Sequence, residues 1–230
     1  MSARPFIVAI DGPAGAGKSS VSKLLARRMG FALVDTGAIY RCVALMARRE
    51  GIAFDDDARL GELLSRVQIH FQVVGEENRV FLGGQDVSSD IRTPENSMAA
   101  SQVSSRPVVR AGLLQLQRRL ALESEKGAIL EGRDIGTVVF PDADVKFFLE
   151  ASPEVRARRR YEELFQKGVE ITLEEVLADQ MKRDRDDAAR AVAPLKAAED
   201  AIRMDSSVTP LSEVVHTLEA EILRRMAARK

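Results

Sequence analysis

The stretch "DGPAGAGKSS", residues 11–20, gathers three glycines, two alanines and a proline around the single Lys18. Its flanks say where it lies. "FIVAI" before it is a short apolar run rich in β-branched residues, and "VSKLLARRM" after it sets Val21, Leu24, Leu25 and Met29 at helical spacing. The local order is therefore strand, glycine loop, helix. The spacing Gly12-x-x-x-x-Gly17-Lys18-Ser19 suits a phosphate cradle, in which small residues let backbone N–H groups turn inward at a helix N-terminus. In this reading Gly12, Pro13, Ala14, Gly15, Ala16 and Gly17 wrap the phosphates of a nucleoside triphosphate. Lys18 reaches the β- and γ-phosphates, and the hydroxyl of Ser19 or Ser20 is free to ligate Mg²⁺. The competing reading, a tight strand-to-helix turn with no ligand, does not require this lysine and serine.

Composition frames the rest. A chain of 230 residues suits one domain with a real core, and a net charge of −1 supplies no global field toward nucleic acid or an anionic membrane. Small-molecule partners are expected. Cys42 is the only cysteine, which excludes an internal disulfide and fits a reducing cytoplasm; its neighbours "IYRCVALMA" read as core. Two histidines and one cysteine are too few for a zinc site. Without an apolar leader or an 18-residue apolar run, neither secretion nor membrane spanning is expected.

Strands and helices alternate along the chain. "FALVD", "GAILEG", "VKFFLE" and "AIRMD" read as further strands, with helices over "GAIYRCVALMARRE" and "LSEVVHTLEAEILRRMA". Five such strands imply an α/β fold with a doubly wound parallel sheet. One segment breaks the rhythm. Val67, Ile69, Phe71 and Val73 alternate with Gln68, His70 and Gln72, then "GEEN" turns and "RVFL" answers, so an antiparallel hairpin is inserted. The expected division is a core of residues 1–66 and 103–230 with an antiparallel insertion over 67–102, and the core resumes near a helix starting at Pro107. His70 falls on the polar face and reads as surface.

Between about 153 and 190 the chain is rich in arginine. Arg156, Arg158, Arg159 and Arg160 lie on one predicted helix, and Arg183, Arg185 and Arg190 follow among aspartates. A solvated, salt-bridged helix pair explains them. So does a short helical lid over about 153–170 whose guanidinium groups meet the charge of a moving phosphoryl group. No Asn/Thr-Lys-x-Asp guanine reader is found, and "AILEGRD" ends in Glu131-Gly132-Arg133-Asp134 rather than in the acidic pair of a motor ATPase. A small kinase needs a second anion site, and "DTGAIYR" offers one: Thr36 and Gly37 at a helix N-terminus with Tyr40 and Arg41 a turn later.

The blocks "DGPAGAGKSS", "DTGAIYR", "ASQVSSRPVVR", "EGRDIGTVVFPDADVKFFLEAS" and "RDRDDAARAVAPL", in this order, resemble the bacterial cytidylate kinases over nearly the whole chain. The resemblance implies the P-loop kinase fold, transfer of the γ-phosphoryl of ATP to CMP or dCMP, a Mg²⁺ requirement, and a cytoplasmic monomer acting in pyrimidine nucleotide metabolism. It implies that Thr36, Arg41, Arg133 and Arg190 adjoin the acceptor phosphate, that Arg183 and Asp187 meet the ribose, and that Ser101, Arg110 and Asp134 meet the cytosine. Arg159 and Arg160 are the implied lid residues. Three positions depart from the common pattern: Ser20 stands where Thr is usual, Thr36 for Ser, and Glu131 for Asp, which lengthens any water-mediated Mg²⁺ contact by a methylene. Read from the residues alone, a kinase for another small acceptor, or a nucleotide-driven binding switch, stays open. So does a plain turn at Asp134 or an exposed ion pair at Asp187.

Overall fold

The computed structural model describes residues 4–75, 77–166 and 168–229; Glu76 of the "GEEN" turn and Lys167 of the expected lid lie outside the described residues. In chain order the elements are β1 (Phe6–Asp11), α1 (Lys18–Met29), β2 (Ala32–Asp35), α2 (Thr36–Arg49), α3 (Asp57–Leu64), β3 (Ile69–Val74), β4 (Glu77–Leu82) and β5 (Gln85–Asp86). They continue with α4 (Pro94–Ser105), α5 (Pro107–Leu122), β6 (Gly127–Gly132), β7 (Val145–Glu150), α6 (Pro153–Gln166), α7 (Leu173–Ala188), β8 (Ile202–Asp205) and α8 (Leu211–Ala228). A 3-10 turn spans Asp90–Arg92 and a π-helical turn spans Ile135–Val139.

Five parallel strands form one sheet in the order β2-β6-β1-β7-β8. Strand alternation explains how it is covered on both faces. Ile7 and Ala9 enter the core shared with α2, α3, α4 and α5, whereas Phe6, Val8 and Ile10 enter the one shared with α1 and α8. The register sets Asp35 beside Glu131 and Glu131 beside Ile10, so three strands deliver their carboxyl ends, and two carboxylates, to one crevice. Ligands of open α/β sheets bind at such a place.

The insertion is a three-stranded antiparallel sheet, β3-β4-β5, one strand more than the hairpin read from the sequence, because Gly83 and Gly84 turn the chain back again with positive φ. Its Ile69, Val80, Leu82 and Val87 are buried in the same core as α2. Val73 departs from the expected alternation: it is 72% exposed, lying near the hairpin tip beyond reach of that core. His70 is exposed and stacks on Phe81. Across the crevice α6 and α7 form a hairpin with a small core of Ala157, Leu164 and Val176. Among the described residues no helix is long and apolar enough to cross a membrane.

Candidate active site

The glycine loop leaves β1 through Gly12, whose φ of 147° is open only to glycine and where a Cβ would stand 2.1 Å from the Leu149 carbonyl oxygen. At Gly15, φ 78°, a Cβ would stand 3.0 Å from the Arg156 Cβ, a tight contact rather than an outright clash. The loop is thus moulded against β7 and α6. Lys18 is buried, and its ammonium donates to the Pro13 carbonyl at 2.7 Å, bending the side chain back over the loop. Burial, and then the nearby Arg133, hold its pKa well below the ordinary lysine value against the pull of Glu131 and Asp11.

Ser19 and Ser20 are both exposed, and it is Ser19 Oγ that donates to Glu131 Oε2 at 2.7 Å. Burial, followed by the adjacent Asp35, pushes the Glu131 carboxyl up to about 7. Asp11 accepts the backbone N–H groups of Ile135 and Gly136 at 2.8 and 2.7 Å, tying the end of β1 to the π-helical turn after β6. Burial nonetheless raises its pKa to about 6. Among the described residues no group of three or more His, Cys, Asp or Glu could hold a metal ion unaided. The hard oxygen set of Ser19, Glu131 and Asp35 fits a Mg²⁺ that takes most of its ligands from phosphates and water.

At the opposite wall the residues expected from separate blocks converge. Asp187, 1% exposed, receives Arg133 Nε at 3.0 Å and also pairs with Arg190. Arg190 in turn donates to Ser104 Oγ at 3.2 Å. Arg110 Nη2 lies 2.6 Å from Asp134 Oδ2, an ion pair not aligned as a hydrogen bond, and its Nη1 donates to the Ser104 carbonyl at 3.0 Å. The guanidinium also covers the Tyr40 ring at 5.3 Å, and Gln117 donates to the Tyr40 hydroxyl at 3.4 Å. Asp134 therefore pairs with Arg110, neither with its neighbour Arg133 nor as a helix cap. Arg183 Nε is buried with no hydrogen-bond partner among the described residues, and burial together with Arg133 lowers its pKa to about 10. Arg41 carries no ion pair among the described residues; burial lowers its pKa against the pull of Asp35, and Arg92, Arg133 and Arg160 add to the lowering.

Two expectations meet a different geometry. The N-terminus of α2 carries its own anion, the Asp35 carboxylate, which accepts the Ala38 N–H at 2.9 Å. The Thr36 hydroxyl is buried and donates to the Glu131 carbonyl at 2.7 Å, so its proton is already committed. Ser101 contributes its carbonyl, as acceptor for Ser104 Oγ at 3.0 Å. In the lid, Arg156 is buried structure rather than a mobile finger: it pairs with Asp184 at 2.7 Å and donates to the Ala14 and Ala151 carbonyls. Arg159 reaches the glycine loop at the Gly15 carbonyl but is held chiefly by Ser206, through its carbonyl at 2.6 Å and its hydroxyl at 3.2 Å. Among the described residues Arg160 is bound only to Glu163, one turn on, at 3.1 Å. Ser104 and Ser206 were not singled out by the sequence reading. Ser104 lies inside the quoted "ASQVSSRPVVR" block, where its position between Ser101 and Arg110 was the available signal.

The cytidylate kinase family model matches residues 8–224. A cytidylate kinase of Geobacter sp. (strain M21) is 54% identical over 221 residues, covering 96% of this chain and 94% of its own. One from Geobacter sulfurreducens is 52% identical over 225 residues, covering 98% and 96%. Among solved structures, an uncharacterized protein from Eubacterium ventriosum shares the fold with a TM-score of 0.50 at 14% identity, covering 94% of this chain and 98% of its own. With a family match across almost its full length and relatives above half identity, the chain belongs to the cytidylate kinase family.

Proposed function

We infer that this protein transfers the γ-phosphoryl group of ATP to CMP, giving ADP and CDP, and that it accepts dCMP as well. The observation that carries the reading is the facing of two anion sites across one crevice. The glycine loop with Lys18 stands at the end of β1, and Arg133, Arg183 and Arg190 gather about Asp187 beyond β6, with Arg41 close to Arg133 and Arg183.

In this assignment the glycine loop and Lys18 hold the β- and γ-phosphates of ATP. Arg41, Arg133 and Arg190 hold the acceptor phosphate, Asp187 and Arg183 the ribose, and Arg110 with Asp134 and Ser101 the base. An acceptor phosphate oxygen is already anionic at neutral pH, so these residues need supply no general base. Their task is alignment and charge neutralisation. Ser19, oriented by Glu131, would hold Mg²⁺, which supplies further neutralisation of the triphosphate when bound. Of the two implied lid arginines, Arg160, whose one partner among the described residues is Glu163 within its own helix, is freer than Arg159 to move onto the transferring group. Closing the lid and insertion excludes water, the competing acceptor.

The test is an ADP-release assay with Mg-ATP over a panel of nucleoside monophosphates. Release stimulated most by CMP supports the reading. Release stimulated by none of them overturns it.

A further inference from the structure

We propose that Arg92, on the 3-10 turn of the insertion, is a further acceptor-phosphate residue that works as a pair with Arg41. The proposal rests on the assignment of CMP as acceptor. Arg92 lines a cleft of about 150 Å³ between the small sheet and the glycine-loop helix, and the same cleft is walled by Ser19, Lys23, Asp35 and Glu131. Its guanidinium has no partner among the described residues, whereas Arg79 of the same cleft and Arg49, which holds Asp90 of the same turn, are both ion-paired.

The backbone beneath it is held firmly for a group with no visible partner. Asn96 is fully buried, and its carboxamide N–H₂ donates to the carbonyls of both Arg41, at 3.0 Å, and Ile91, at 3.2 Å. That one side chain pins the residue before Arg92 to Arg41. A second tie runs from Arg49 of α2 to Asp90 at 2.8 Å. Arg92 is close enough to Arg41 to disfavour its charge, as are Arg133 and Arg160.

Asp35 opposes that repulsion, and Arg133 and Arg160 have their own carboxylates in Asp187 and Glu163, whereas Arg92 has none among the described residues; an anion placed between Arg41 and Arg92 would relieve the repulsion between these two. The carboxylates that line the cleft are otherwise engaged. Asp35 caps α2, Glu131 accepts from Ser19, and Glu77 receives Arg79. A phosphate held between Arg92 and the neighbouring Arg41 is the group these charges fit.

The experiment compares CMP with cytidine, which lacks the phosphate, by calorimetric titration of wild type, Arg92→Gln and Arg92→Lys. Arg92 is exposed, so both variants should fold, and circular dichroism checks this. The expected result is an affinity for CMP weakened about tenfold or more in Arg92→Gln, with cytidine unchanged and Arg92→Lys intermediate. Equal losses for CMP and cytidine, or no loss for either, would overturn the assignment of Arg92 while leaving the kinase reading intact. A wild-type protein that neither binds nor phosphorylates CMP would overturn both.

Discussion

Asp134 and Arg110 meet in a buried setting at 2.6 Å, with the guanidinium stacked on Tyr40, so the carboxylate is held as a fixed acceptor rather than a mobile one. A fixed acceptor suits the cytosine amino group and opposes the uracil carbonyl. Truncating Asp134 would leave Arg110 buried without its partner and mix a stability loss with a binding loss. The cleaner change is Asp134→Asn, which keeps the shape, removes the charge and replaces one of the two acceptor oxygens by an N–H₂ donor. We expect kcat/KM for CMP to fall about tenfold or more and that for UMP to stay level or rise, measured as the ratio of the two. Parallel losses would place Asp134 outside base recognition. Asp187 offers a pH test. Burial pushes its carboxyl up, but Arg133, Arg190 and Arg183 outweigh this and hold it below the ordinary value of 3.8. A carboxylate so depressed contributes stability that is complete above 3.8 and is lost as pH falls toward the folded-state value. Denaturant midpoints of Asp187→Asn should therefore lie below wild type at pH 7 and converge on it in acid. A constant gap down to pH 3 would contradict the linkage.

At the scale of elements, α6 is fastened to the glycine loop by Arg156, 3% exposed, whose guanidinium joins the Ala14 carbonyl, the Ala151 carbonyl and the Asp184 carboxylate of α7. The base of the lid is thereby fixed, and only its outer part is left to move. Arg156→Ala should cost about 3–5 kcal/mol in urea denaturation, because Asp184 loses its buried partner, and should raise KM for ATP by loosening the loop at Ala14. A surface-like loss under about 1 kcal/mol would deny that role. Four of the five core strands were legible as largely apolar runs of four to six residues bounded by turns or caps, with "GAILEG" and "VKFFLE" matching β6 and β7 end to end, and β8, "IRMD", as a short alternating segment before the last helix. The helix α3 and the Asp90–Arg92 turn were not legible, since eight and three residues are too short for periodicity to speak. The site residues could be picked out by block resemblance, but their pairing could not. Arg110–Asp134, Arg133–Asp187 and Arg159–Ser206 join residues 24, 54 and 47 positions apart through the sheet, and no local pattern encodes such distances.

For the molecule as a whole, the insertion and the α6–α7 hairpin flank the crevice from two sides, each joined to the sheet by few segments. Closure should require both nucleotides, so a distance measured from the insertion to the lid should shorten with ATP and CMP analogues together and stay nearly unchanged with either alone. Shortening with one nucleotide alone would show that the two parts close independently. The chain carries a built-in convenience for that measurement. Cys42 is completely buried in α2, and burial pushes its thiol up to about 12, so at neutral pH it exposes neither surface nor thiolate to an alkylating dye. Cysteines introduced at the exposed Gln72 and Glu162 would therefore be the two reactive thiols, and a donor–acceptor dye pair could be attached by maleimide chemistry without first removing the native cysteine.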